Sequence, residues 1–91
     1  MASTLAHDVT QDEWTLVAEG SKNVAIQLAE QGQIRIHVGE VEPSVGSAGI
    51  LIGVGTPGLP SEFSCAGLPD GVRVWSRAND DDVVSIVVMQ Y

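Results

Sequence analysis

The chain has a single cysteine, Cys65, so no intrachain disulfide can form. It has four basic side chains against twelve acidic ones, a net charge of −8. A surface so acidic repels phosphate backbones and anionic lipid, which argues against nucleic-acid and membrane partners. No apolar run reaches the length of a membrane span. The opening residues "MASTLAHDVTQDEW" lack the basic start and apolar core of a secretory signal, so folding in a reducing cytoplasm is expected, with Cys65 a free, buried thiol. Zinc-type spacings such as CxxC or HxxxH are missing, and His7, His37 and Cys65 lie far apart, so neither a metal nor another cofactor is expected. Ninety-one residues make one domain, of a size that tends to need a staple. With disulfides and metals set aside, oligomerisation is the remaining stabiliser.

What is present is period-two alternation broken by Gly, Pro, Asn and Asp. Residues 1–12 read as a polar N-terminal arm and 13–91 as a single β domain. "EWTLVAE" (13–19) sets Trp14, Leu16 and Ala18 on one face. "VAIQLAE" (24–30) sets Val24, Ile26 and Leu28 inward, and fair helix propensity in 23–31 is outweighed by this alternation. "IRIHV" (34–38) then turns Ile34, Ile36 and Val38 inward and pairs back on it as a hairpin across "QGQ". "GILIGVG" (49–55) and the short "FSCAG" (63–67) follow, separated by a segment with two prolines that cannot join a ladder. "LPDG" (68–71) reads as a tight turn with proline in second position. "VRVWSRA" (72–78) and "VVSIVVMQY" (83–91) read as a closing hairpin. The expected fold is all-β: a small β-sandwich or jelly-roll-like barrel of about seven strands.

Two motifs invite chemistry. "GVGTPG" (53–58) matches the dinucleotide fingerprint, but prolines follow it where a helix should open, so it reads as a glycine-rich β loop. "NDDD" (79–82) offers carboxylates to a hard cation, yet the following "VVSIVV" supplies neither the glycine nor the distal glutamate of a calcium loop. Asp80, Asp81 and Asp82 read instead as a charged turn guarding an aggregation-prone strand, with weak cation binding the other possibility. No nucleophile signature appears and no carboxylate pair stands out, so no catalytic residue is assigned and the chain is not expected to be an enzyme.

The informative pattern is positional. Alternation puts Arg73, Trp75 and Arg77 on the face of their strand opposite Val72, Val74 and Ser76, and puts Arg35 and His37 opposite the isoleucines of theirs. Tryptophan and arginine are enriched in interface hot spots. These five residues are therefore the candidate oligomer or partner interface. The last strand is apolar on both faces, with Val83, Val87 and Met89 on one and Val84, Ile86 and Val88 on the other. A thin two-layer fold covers only one of these, so a subunit contact is expected on the second, unless the 39–48 loop or the N-terminal arm folds over it.

The succession "EWTLVAEG", "NVAIQL", "IRIHVGEVEPS", "GILIGVG", "VRVWSRA" and "VVSIVVMQY" resembles small virion proteins of tailed bacteriophages, in particular the head-decoration (cement) class. The resemblance covers most of residues 13–91 and is one of strands, not of a catalytic motif. It implies a non-enzymatic structural protein on the capsid surface, made in the host cytoplasm. There it would form a homotrimer clamping neighbouring major capsid subunits, with Met1–Asp12 as the arm that touches the shell. Tail, spike or head-fibre roles, or a carbohydrate-binding module for host recognition, fit the same pattern.

Overall fold

β-branched residues separated by glycine- and proline-bearing turns build eight strands in the computed structural model, which describes residues 3–20, 22–44, 49–55, 57–79 and 82–91. They are β1 (Ser3–Thr10), β2 (Thr15–Glu19), β3 (Val24–Leu28), β4 (Gly32–Gly39), β5 (Ile50–Val54), β6 (Glu62–Cys65), β7 (Arg73–Ala78) and β8 (Val83–Gln90). Two four-stranded antiparallel sheets result, in the orders β1-β8-β3-β6 and β2-β7-β4-β5. The inward residues of both sheets form one core. Val9, Val24, Ile26, Val84, Ile86 and Val88 come from the first sheet, and Ile34, Ile36, Ile52, Val74 and Ala78 from the second. Phe63 and Cys65 of β6 pack against its rim. Among the described residues, no helix is long and apolar enough to cross a membrane.

The alternation correctly assigns the inward residues of β3, β4 and β7, but several expectations change. Residues 3–10 are a strand, not an arm, and every residue from Ser3 to Thr10 is paired with β8. The strand is legible only as weak alternation, with Leu5, His7 and Val9 on the core side; the partner that stabilises it lies at the other end of the chain. The two expected hairpins are absent. β3 pairs with β6 and β8, whereas β4 pairs with β5 and β7, so the chain crosses between sheets after β3 and after β7, as it does at every connection of these strands except β4–β5. The physical reason is that β3 and β4 each have one strongly apolar face. In opposite sheets those faces meet across the core.

β2 departs from simple alternation through a bulge. Leu16 pairs with Trp75, Ala18 pairs with Val74, and Val17 is the extra residue between them. Leu16 therefore lies on the outer face and Ala18 on the inner one, while Trp14 precedes the strand altogether. The turn before β7 is shifted by one residue: the Val72 amide donates to the Pro69 carbonyl, so proline opens the turn. Gly71, at φ 86°, takes the third position, where a type II turn needs positive φ.

Candidate functional site

The five candidate interface residues are neighbours. In the β4–β7 register Arg35 lies opposite Arg77, His37 opposite Trp75, and Gly39 opposite Arg73. They form a basic and aromatic patch on the outer face of the β2-β7-β4-β5 sheet, since their alternates Ile34, Ile36, Val74 and Ser76 are fully buried. Like charges facing each other across strands are unfavourable. Here each guanidinium is drawn to its own partner. Arg35 Nε donates to Asn79 Oδ1 at 2.8 Å, and Asn79 Nδ2 donates to Gln33 Oε1 at 2.9 Å. Arg77 donates to the Gln11 carbonyl at 3.0 Å.

Trp14 completes the patch and escapes the alternation argument, because it sits in the β1–β2 connection. The Arg77 guanidinium lies 5.4 Å from its ring centroid, a cation–π distance. His37 meets it edge-on at 6.0 Å, and its indole Nε1 donates to the Ser44 carbonyl at 2.8 Å. At the other end of the row, Arg73 pairs with the Glu19 carboxylate and donates to the Glu40 carbonyl. The 40–44 segment thus has one contact at Arg73 and another on Trp14, which stands over Arg77.

The burial of Trp75 departs from the expectation. Trp75 lies on the outward face, as the alternation requires, but it is only 8% exposed and Trp14 only 5%. Of the row expected to meet a partner, Trp75 is the residue the chain itself buries. The cover is imperfect in hydrogen bonding: Trp75 Nε1 and Arg77 Nε are both buried without an acceptor. Arg73, Arg35 and His37 keep partial exposure.

The outer face of β8 is the reverse case. Val84, Ile86 and Val88 are fully buried, whereas Val83 is 50% and Met89 44% exposed, with Val87 between them half-buried. Neither element that might have covered this face does so among the described residues. The N-terminal strand lies beside β8 in the sheet, and the 40–44 segment lies on the opposite sheet. Ala6 and Ala25 pair with Val87 and Met89 and widen the apolar strip.

Asp80 and Asp81 lie outside the described residues. Asp82 is exposed, and its carbonyl accepts from the Gln11 amide at 3.2 Å. Among the described residues no group of three His, Cys, Asp or Glu side chains could hold a metal ion. Cys65 is free and half-buried rather than fully buried. Desolvation raises its thiol pKa above the ordinary value, opposed by a hydrogen bond with the Val24 backbone. Comparison with protein families, with curated proteins and with solved structures found no match to this chain.

Proposed function

We propose that this protein is a non-enzymatic structural component of a phage virion, a head-decoration protein that acts as an oligomer on the capsid surface. The observation that carries the reading is β8. One of its faces builds the core; on the other, the half-buried Val87 and the exposed Met89 lie beside Ala6 and Ala25 as an apolar patch, and Val83 is exposed beyond the Ser85–Asp8 hydrogen bond. Such a patch fits a surface that is covered on assembly. The strand order β1-β8-β3-β6 facing β2-β7-β4-β5 is compatible with a jelly-roll-like arrangement and supports this reading. The virion setting comes from the sequence resemblance.

The aromatic side chains weigh against the carbohydrate-binding alternative. Trp14 and Trp75 are buried and Phe63 faces the core, which leaves Tyr91 as the exposed ring. A sugar platform needs more than that one residue.

Sedimentation of the purified chain with undecorated heads of its phage tests the proposal. Co-sedimentation is expected, with loss of binding in Val87→Glu and Met89→Glu variants that keep their far-UV circular dichroism. Binding to tails but not to heads would overturn the decoration role in favour of a tail or spike component.

A further inference from the structure

An exposed sheet edge presents unpaired amide and carbonyl groups to any incoming strand, and folded proteins usually blunt such edges. The two sheets here have four edges, and three are blunted. β2 is bulged at Val17. β5 is five residues long, and its Gly53 amide already donates to the Pro60 carbonyl. β6 has four residues, with Pro60 shortly before it and Pro69 shortly after. β1 is different: it runs for eight residues in unbroken register with β8 and contains no proline, lysine or arginine.

The direction of its free groups follows from the ladder. Gln11 N–H donates to the carbonyl of Asp82, the residue that continues the β1–β8 register opposite it. In an antiparallel pair, hydrogen-bonded residues alternate with residues that point their amides away. The odd residues of β1 therefore serve β8, and Thr4, Ala6, Asp8 and Thr10 turn their amides and carbonyls to the open side. Next to this edge, on the core side, a cleft of about 210 Å³ lies between Leu5 and His7 of β1 and Leu16, Val17 and Ala18 of β2. Leu5 is 53% exposed there, and His7 Nε2 is buried in its wall without a partner.

We propose that β1 is the edge at which a second copy of this chain adds its own β1, antiparallel, joining two β1-β8-β3-β6 sheets across a two-fold axis. The proposal rests on the reading of the protein as a self-assembling module and names the contact. A second copy is the fitting occupant because the strand is self-complementary. With Ala6 on the axis, the outward-bonding residues pair with one another. Thr4 then lies opposite Asp8 of the second copy, and Leu5 opposite His7 of the second copy. No like charges face each other, although the chain as a whole carries −8. Each exposed Leu5 lies over the cleft of the other copy, beside its His7 and Leu16, which removes apolar surface from water on both sides of the axis.

Light scattering across a concentration series is the test, with two variants. Ala6→Pro removes an amide that β8 does not use, and Leu5→Glu puts a charge over the cleft. The wild type is expected to reach twice the chain mass, and both variants to stay at the single-chain mass with wild-type circular dichroism. In a Cys65→Ser background, Ala6→Cys is expected to cross-link two copies under mild oxidation, whereas Ser64→Cys on the far edge of the same sheet is not. This arm decides the matter even where a strand variant fails to fold. A trimer, or a dimer that persists in folded Ala6→Pro and Leu5→Glu, overturns the β1 contact and leaves self-assembly standing. A wild type that stays at the single-chain mass throughout, with no Ala6→Cys cross-link, overturns both.

Discussion

Trp75 shows how one side chain can obey its strand's alternation and still be buried. Its position on β7 turns it outward, yet it is only 8% exposed in a row where Trp14 stands over Arg77. The indole contributes area to the fold while leaving Nε1 without an acceptor. Trp75→Ala is therefore expected to cost the isolated chain about 3 kcal/mol, since truncating a buried tryptophan loses both transfer energy and packing. Trp75→Phe is expected to cost less, because it keeps most of the ring and removes the unpaired donor. Urea denaturation of both variants measures this, and a Trp75→Ala chain as stable as wild type would return the ring to the surface. Cys65 carries a pH prediction. Burial raises its folded pKa, so the folded state holds the thiol proton more tightly than the unfolded chain does. Its contribution is fully present below the unfolded thiol pKa of roughly 8.5 and is lost as pH rises through the higher folded value. The melting temperature of wild type is thus expected to fall more steeply above that range than that of Cys65→Ala, in thermal melts on both sides of it.

Among the described residues, the β4–β5 hairpin is the one pairing between consecutive strands. Its return leg depends on Gly49, where a Cβ would stand 2.7 Å from the Ile36 carbonyl oxygen. That oxygen is backbone and has little room to yield. Gly49→Ala is expected to destabilise by about 2 kcal/mol, in the usual range for overpacking. Hydrogen exchange should show the lost protection first at Ile34, Ile36 and Ile52. Uniform loss across both sheets would place the strain elsewhere. The bulge in β2 matters equally at this scale. Were Val17 a regular ladder residue, Leu16 and Ala18 would share a face; as the extra residue it sets Leu16 beside Trp75 and Ala18 beside Val74.

At the scale of the whole molecule, the first strand pairs with the last, Ser3 opposite Gln90. Pairings of such high sequence separation fold slowly, on the millisecond-to-second scale typical of β-sandwiches. Removing the N-terminal ten residues is correspondingly not the trimming of an arm. It strips β8 of a neighbour and leaves "VVSIVVM" as an open, uncharged edge. That truncation is expected to aggregate, read as rising light scattering at concentrations where the full chain stays clear. A truncated chain that remains folded and clear would show that β1 contributes little. Charge acts at the same scale: a chain at −8 repels itself, and added salt screens that repulsion.

Period-two alternation with glycine and proline punctuation determined the all-β class, and it placed Val24, Ile26, Ile34, Ile36 and Val74 in the core. It also put Arg35, His37, Arg73, Trp75 and Arg77 on outward faces, because side-chain direction along a strand is a local property. Which strand sits beside which is not local. The crossings after β3 and β7, the pairing of β1 with β8 and the bulge that reverses Leu16 all depend on apolar faces finding one another across the core. The same holds for the site. Alternation could show that Trp75 points outward, but only the tertiary structure decided that it is buried there and that Trp14 joins Arg77 and His37 in the same patch. It also decided that Val83 and Met89 on the outer face of β8 and Leu5 on β1 stay in water.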